Sequence, residues 1–255
     1  MKLSTEEVWL YLGLKITTNQ QYLRILNRCM VFENICKNAP ISRLDLQERT
    51  GLTAMTISNI VGDLVKSGLI VEDEIGESTG GRPPKLLRVN DDDWGVIGID
   101  VDPTRVTGGL IDLTGRLIDL RSENLSKKDL SYVVNVIKTI VDRIKGDTDR
   151  KILAVGLGIP GWVCPDTDLI SFAPNLGWKG VDIKTRLAED IELPVYIDNE
   201  ANVTALGEGW AGGAQQVRNF ISINFRTGVG SGVVMNGGIY KGVSGSSGEI
   251  GHITV

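Results

Sequence analysis

The spacing of apolar residues predicts a helix near the start of the chain. Five apolar positions recur at three- and four-residue intervals, so they would share one face of a helix. They are Tyr22, Ile25, Cys29, Phe32 and Cys36. Because proline cannot continue a helix, we expect this one to end before Pro40. The pattern indicates a helix that packs one face into a core.

Two shorter helices are predicted after this one. Ser42 and Asp45 have the spacing of a capping box, which would open a helix running through Arg49. A turn at residues 50–52 follows, and Thr53 would cap a third helix. That helix would bury Ile57, Ile60, Val61 and Leu64 and turn Ala54, Met55, Ser58, Asn59 and Gly62 outward. Small and polar residues on this outer face make it the candidate recognition helix of a DNA-binding motif.

A two-stranded wing is predicted next. Alternating residues from Ile70 indicate a strand, and residues 85–89 would return beside it around a glycine-rich tip at 76–84. Capped helices joined by glycine turns also occur in ordinary helical domains. The order and spacing of all the pieces together favour a winged helix-turn-helix.

Beyond residue 90 the pattern changes to glycine-rich strands and helical stretches, which is typical of an α/β domain. We predict strands at 94–101, 105–112, 115–121 and 152–157, a turn at 113–115 and a helix at 129–145. The polar run that precedes these strands places the domain junction near residue 90. The predicted domains are therefore residues 1–90 and 91–255.

Composition and charge narrow the class of protein. The 255 residues are 42% hydrophobic and 23% charged, which suits two or three packed globular units. No stretch approaches the roughly 20 apolar residues of a membrane span, and residues 1–7 are polar, so we expect a cytoplasmic protein without a membrane partner. Cys29, Cys36 and Cys164 lack CxxC spacing and are expected to be reduced.

The net charge of −5 conceals a difference between the two predicted domains. Residues 1–90 carry 11 basic and 10 acidic side chains, whereas the remaining residues carry 16 and 22. A nearly neutral first domain still suits DNA binding, because phosphate contacts depend on where the cations lie.

Residues 40–90 (PISRLDLQERTGLTAMTISNIVGDLVKSGLIVEDEIGESTGGRPPKLLRVN) closely resemble the N-terminal domain of ROK-family repressors. In that family the third helix enters the major groove and the arginine of the GRP segment enters the minor groove. The resemblance therefore implies double-stranded operator DNA as partner and Arg82 as a minor-groove reader; the alternative is a solvated loop arginine. The expected DNA contacts are Arg43, Thr53, Ala54, Met55, Thr56, Ser58, Asn59, Arg82 and Lys85.

Four later segments resemble the same family in its order and spacing. They are GLGIPGWV at 156–163, APNLGW at 173–178, DNEANVTALGE at 198–208 and the glycine-rich stretch at 226–255. The resemblance implies an actin-like ATPase or sugar-kinase fold of the ribonuclease H-like type. Since the second lobe of that fold continues past the last segment, we expect this lobe to be incomplete and the chain to be truncated.

Two departures from the family's kinases argue against catalysis. Their first phosphate loop is DxGGT-like, whereas here Asp102 brings a negative charge and Pro103 removes an amide donor. ATP binding is therefore expected to be weak or absent. Glu200 replaces the aspartate that acts as general base, and a displacement of about 1 Å can cost roughly 10²-fold in rate. We expect a protein that is not an enzyme.

The resemblance also implies a sugar effector. Its contacts would be Asn175, Asn199, Glu200, Glu249 and His252. Asn199 and Glu200 have an alternative role as the cap of a helix through Trp210. His252 matches the family's zinc-ligand position, but one histidine cannot hold a tetrahedral zinc, so we expect no intact zinc site and no cofactor.

Three functions follow from these features. The first is a sugar-modulated repressor of carbohydrate-utilisation genes, binding a pseudo-palindromic operator as a homodimer. The second is an ATP-dependent sugar kinase carrying a DNA-binding domain, favoured by Gly228 and Gly230 in the second phosphate segment. The third is a DNA-binding protein without a ligand.

Overall fold

The computed structural model describes residues 19–75, 84–226, 228–243 and 245–252. The chain divides into two compact units between Trp94 and Gly95. Among the described residues, no helix has the length and apolar character needed to cross a membrane.

The first unit contains three helices and a small sheet. Its elements are α1 (Asn19–Asn38), β1 (Ile41–Ser42), α2 (Arg43–Thr50), α3 (Ala54–Lys66), β2 (Ile70–Ile75) and β3 (Lys85–Val89). The strands lie in the order β1-β3-β2, and β2 and β3 pair antiparallel from Ile70 opposite Val89 to Ile75 opposite Lys85. This confirms the predicted winged helix-turn-helix; the predicted wing tip lies outside the described residues.

Local hydrogen bonds determine where α2 and α3 begin. The Ser42 hydroxyl accepts from the Asp45 amide, and the Asp45 carboxylate accepts from the Ser42 amide, which completes the predicted capping box. Gly51 ends α2 with a φ of 70°, a conformation that glycine adopts without strain. The Thr53 hydroxyl then accepts from the Thr56 amide and caps α3 as predicted.

The buried face of α1 differs from the predicted one. Val31 and Ile35 are fully buried, as is most of Tyr22, whereas the other four predicted positions are only half-buried. Val31 and Ile35 lie four positions apart and therefore share one face of the helix. That face is the one packed into the core of this unit, and the predicted stripe lies beside it.

The second unit is an α/β structure with one main sheet. Its helices and strands are β4 (Trp94–Val101), β5 (Arg105–Asp112), β6 (Leu117–Asn124), α4 (Leu130–Gly146), β7 (Lys151–Ile159), β8 (Trp162–Val163), β9 (Ile170–Ala173), β10 (Trp178–Val181), α5 (Ile183–Ile191), β11 (Val195–Asn199), α6 (Glu200–Trp210), β12 (Phe220–Phe225), β13 (Val229–Met235) and β14 (Gly238–Ile239), with a 3₁₀ turn at Ile250–His252. The predicted strand at 115–121 begins later, at Leu117, because Gly115 belongs to the preceding turn.

The main sheet has the strand order β11-β7-β4-β5-β6 and carries the core of the unit. β11 runs parallel to β7, so that Asn199 and Ile159 lie side by side at the carboxyl ends of the two strands. Helices α4 and α5 supply much of the apolar core against this sheet. This register brings the turn after β7 next to the start of α6.

A second sheet, in the order β12-β13-β14, packs against α6. Gly232 makes this close approach possible. A Cβ atom there would lie 2.5 Å from both the Ala201 carbonyl oxygen and the Ala205 Cβ. Because one of these atoms belongs to the α6 backbone, a side chain at position 232 would force the helix away from the sheet.

Gly232→Ala is therefore expected to lower the free energy of unfolding of the second unit by about 1–3 kcal/mol, since overpacking of that size has this cost. Denaturant titration followed by tryptophan fluorescence measures the change. Gly156→Ala on β7 is the matched control, because a Cβ there meets nothing within 4 Å. Equal stability of the two variants would contradict this account of the contact.

Candidate functional site

A cavity of about 750 Å³ lies in the second unit, at the carboxyl ends of β7 and β11. Its walls come from the turn after β7, the first turn of α6, the β12–β13 hairpin and residues 245–251. Ligands of open α/β sheets bind at this edge, where the loops that follow the strands meet. The cavity is the candidate effector site.

Four of the five predicted sugar contacts line this cavity: Asn175, Asn199, Glu200 and Glu249. They lie up to 74 positions apart in the chain and are brought together by the fold. The backbone of His252 ends the 3₁₀ turn, and its side chain lies outside the described part of the structure. The described residues contain no group of three or more His, Cys, Asp or Glu side chains placed to hold a metal ion.

Asn199 joins two walls of the cavity. Its Oδ1 accepts from the amides of Ala201 and Asn202, at 2.8 and 3.4 Å, and so caps α6. Its Nδ2 donates to the carbonyl oxygen of Gly161, in the turn after β7, at 2.9 Å. The alternative capping role of Asn199 is therefore present, and one Nδ2 hydrogen is left for a ligand.

Asp198, the preceding residue, is a buried anchor that the sequence did not single out. One carboxylate oxygen accepts from Asn202 Nδ2 at 3.0 Å, and the other pairs with Lys241 Nζ at 2.8 Å. These contacts connect the end of β11 to α6 and to the segment after β14. They fix the end of β11 relative to the first turn of α6, which lines the cavity.

Glu200 stands at the first position of α6 with its carboxyl group buried in the cavity wall. Burial raises its pKa to about 7, with a further rise from the charges of Asp100 and Glu249, against the lowering effect of a backbone hydrogen bond and of Arg226. Its Oε2 has no hydrogen-bond partner among the described residues. The group therefore changes its charge near neutral pH.

An aromatic pair forms another part of the wall. The Trp162 indole nitrogen donates to Glu249 Oε1 at 2.7 Å, and the Trp162 and Phe172 rings lie 5.9 Å apart at 59°. Neither aromatic residue was among the sugar contacts predicted from the sequence. Trp162 lies within the GLGIPGWV segment, but its partner Glu249 is 87 positions away. The cavity thus combines apolar faces with directed polar groups, as ligand pockets do.

The segments that correspond to the family's two phosphate loops are joined by an ion pair. Arg226 Nη1 lies 2.5 Å from Asp100 Oδ2. Asp102 closes its own turn by accepting from the amide and hydroxyl of Thr104, at 2.9 and 2.6 Å. Burial opposes ionisation of Asp102, but these hydrogen bonds and the neighbouring arginines lower its pKa overall. Negative charge and an occupied guanidinium stand where a phosphate cradle needs free donors.

The predicted DNA-contacting face lies on α3 in the first unit. Ala54, Met55, Ser58, Asn59 and Gly62 are all exposed, whereas the four apolar positions predicted to face inward are buried. Met55 is 71% exposed, so most of its side chain is accessible on this face. Thr53 is exposed and Thr56 is half-buried, with 3.0 Å between their hydroxyl oxygens. The outward surface predicted from the sequence is confirmed.

Two of the basic residues predicted to contact DNA form ion pairs with the same acidic residue. Arg43 and Lys85 both form ion pairs with Glu72 on β2, the lysine at 3.4 Å. Glu72 is largely buried between them, with 16% of its side chain exposed. Arg82 lies outside the described residues.

Two family models match the two parts of the chain. A model described as winged helix-turn-helix DNA-binding matches residues 30–71, and the ROK family model matches residues 96–255. The protein joins a winged helix-turn-helix to an actin-like domain of the sugar-kinase type. The chain belongs to the ROK family.

Individual relatives fall into two groups. The xylose repressor of Bacillus subtilis (strain 168) is 33% identical over 240 residues, which are 93% of this chain and 62% of the repressor. The glucokinase of Halalkalibacterium halodurans is 38% identical over 168 residues, 64% of this chain and 51% of the kinase. A crystal structure of a ROK-family transcriptional regulator, a homolog of the E. coli MLC protein, matches with a TM-score of 0.79 and 25% identity, covering 91% of this chain and 60% of that one. The chain spans about three fifths of the length of the repressors it resembles.

Glu200→Gln is expected to be more stable relative to wild type at pH 8 than at pH 5. Because the pKa of Glu200 is higher in the folded state, its carboxyl favours folding fully below about pH 4.5, and this contribution is lost as the pH rises through about 7. The glutamine does not titrate, so its advantage over wild type should grow by on the order of 1–3 kcal/mol between these pH values, since one pKa unit equals about 1.4 kcal/mol. Denaturant titrations at both pH values measure it.

Glu189→Gln, at an exposed position of α5, is the control and should change stability equally at both pH values. A Glu200→Gln difference that does not depend on pH would show that this carboxyl is not the buried, titrating group.

Proposed function

We propose that the protein is a sequence-specific DNA-binding regulator that represses carbohydrate-utilisation genes and responds to a sugar. Residues 1–90 would bind DNA and residues 91–255 would bind the effector. The observation that carries the proposal is the presence, in one chain, of an exposed recognition face on α3 and a cavity with directed hydroxyl-binding groups. Acting on operator DNA, the protein would work in the cytoplasm.

The DNA contact follows from the shape and chemistry of α3. A helix with small outward residues enters the major groove closely, where Ser58 and Asn59 reach base edges and Met55 contacts a thymine methyl group. Arg82 would read the adjacent minor groove, and Arg43 and Lys85 would contact phosphates. As a homodimer, the protein would place two such helices about one helical turn apart on a pseudo-palindromic operator.

The effector contact is assigned to Asn175, Asn199, Glu200, Glu249 and His252. Carboxylate and amide groups bind sugar hydroxyls directionally, and the Trp162 and Phe172 rings offer apolar faces to the ring carbons. The relative from Bacillus subtilis is named for xylose, so D-xylose is the first sugar to test. A sugar releases DNA only if it binds the released state better than the DNA-bound state.

A role without catalysis is supported by the phosphate-loop segments. Asp102 brings a negative charge to the first loop, Pro103 removes an amide donor from it, and Arg226 beside the second loop is paired with Asp100. The protein would therefore bind its sugar without ATP and without any other cofactor.

A sugar kinase is the second candidate, and specific observations favour it. Gly228 and Gly230 of the second phosphate segment line the cavity, and the similar glucokinase covers this part of the chain. Sugar-dependent ATP hydrolysis that disappears in Glu200→Gln would establish this alternative in place of the regulator.

The decisive experiment is selection of genomic DNA fragments at a stated salt concentration, with and without D-xylose, D-glucose or N-acetylglucosamine. Wild type should bind a small set of fragments and release them with one sugar. Asn59→Ala should lower the preference for those fragments over random DNA by about 10-fold or more, because a base-edge contact is worth about 1–3 kcal/mol.

Asn135→Ala is the matched control, since Asn135 is an exposed asparagine on α4 of the other unit. Its selectivity should equal that of wild type. Absence of any selective binding by wild type, with or without sugar, would contradict the proposed function.

A further inference from the structure

Among the described residues, two buried side-chain atoms of the cavity wall have no hydrogen-bond partner. They are Glu200 Oε2 and Asn224 Nδ2, and both residues line the cavity wall. A buried polar group left unpaired destabilises the folded state, so folded proteins seldom contain such groups. Two in one cavity, an acceptor and a donor, indicate groups that a ligand satisfies.

The pairing of β12 with β13 places the two groups near each other. Asn224 on β12 stands directly opposite Gly230 on β13. Opposed residues of an antiparallel pair project to the same face of the sheet. A Cβ atom at Gly230 would lie 3.8 Å from Glu200 Oε1 and 3.2 Å from Ala201 Cβ. Asn224 therefore projects toward the side of the sheet that carries the start of α6 and the Glu200 carboxyl.

The opposite face of β12 is different in character. Its alternate residues Ile221, Ile223 and Phe225 are apolar and exposed. Ser222 and Asn224 are the polar residues of β12, and both lie on its half-buried face. Of the two, Asn224 lines the cavity and has an unpaired donor, which an apolar side chain would avoid, so its polarity indicates a use in ligand binding.

We propose that Asn224 is a sugar-binding residue whose Nδ2 donates to a ligand hydroxyl oxygen while Glu200 Oε2 accepts the hydrogen of the same or the neighbouring hydroxyl. A hydroxyl group matches this pair because it accepts and donates at once. The inference rests on the proposed function and assigns a further contact within its effector site. A sugar lacking that hydroxyl would leave both protein groups unpaired and would be discriminated against strongly.

Asn224→Leu tests the assignment, because leucine has a similar volume and removes the unpaired donor. We expect the thermal midpoint of the ligand-free variant to equal or exceed that of wild type, since no hydrogen bond is lost. The dissociation constant of the sugar that binds wild type should rise about 10-fold or more. Calorimetric titration of the full chain with D-xylose, D-glucose and N-acetylglucosamine gives the constants.

Asn219→Leu is the matched control with the opposite expected result. Asn219 Oδ1 accepts from the Asn236 amide at 2.8 Å outside the cavity, so this variant should melt earlier and bind sugar as wild type does. If Asn224→Leu does not fold cooperatively, the smaller Asn224→Ala takes its place.

Sugar affinity within twofold of wild type in the folded Asn224 variant would overturn this assignment and leave the proposed function intact. Failure of wild type to bind any of the three sugars would overturn the assignment together with the effector part of the proposed function.

Discussion

The side-chain amide of Asn199 is the contact on which the cavity depends. Parallel pairing of β11 with β7 puts this residue beside the turn that follows Ile159, and the amide then bonds both to that turn and to the first amides of α6. The cap determines where α6 begins, and therefore where Glu200 stands. Trp162 follows that turn directly, as the first residue of β8, and its indole nitrogen donates to Glu249. The Asn199 amide therefore fixes the Glu200 carboxyl relative to the Glu249 carboxyl, although the two residues are distant in the chain.

Among the described residues, the charged side chains of the cavity wall are Asp102, Glu200, Glu249 and Arg226, so acidic groups outnumber basic ones there. Acidic groups surround the cavity, and the arginine that approaches them is engaged with Asp100. A nucleotide would bring further negative charge to this region, whereas an uncharged sugar satisfies buried donors and acceptors without that repulsion. The unpaired polar groups of the cavity wall are therefore the groups to which we assign ligand recognition.

Local signals in the sequence were sufficient for much of the fold. The capping pairs Ser42 with Asp45 and Thr53 with Thr56 act over three residues, and the four buried positions of α3 follow from helical spacing alone. Spacing did not suffice for α1, because packing against the other elements decides which face is buried, and the fully buried residues Val31 and Ile35 lie outside the predicted stripe. Asn224 and Trp162 were missed because their neighbours in the cavity are supplied by strand pairing and by residues more than 20 positions away, which no local pattern records.

Glu72 gives the first unit an internal counter-ion. It pairs with Arg43 and Lys85 from two different elements, so part of the positive charge of these two side chains is neutralised within the unit. Affinity for DNA depends on salt because phosphate contacts release condensed ions from the duplex, and each contact steepens that dependence. Cations shared with a carboxylate exert a weaker field on the phosphates. Such a protein would distinguish DNA sequences mainly through the edges of the bases and the shape of the groove. Its nonspecific binding would be weak and brief, which favours rapid search of a chromosome.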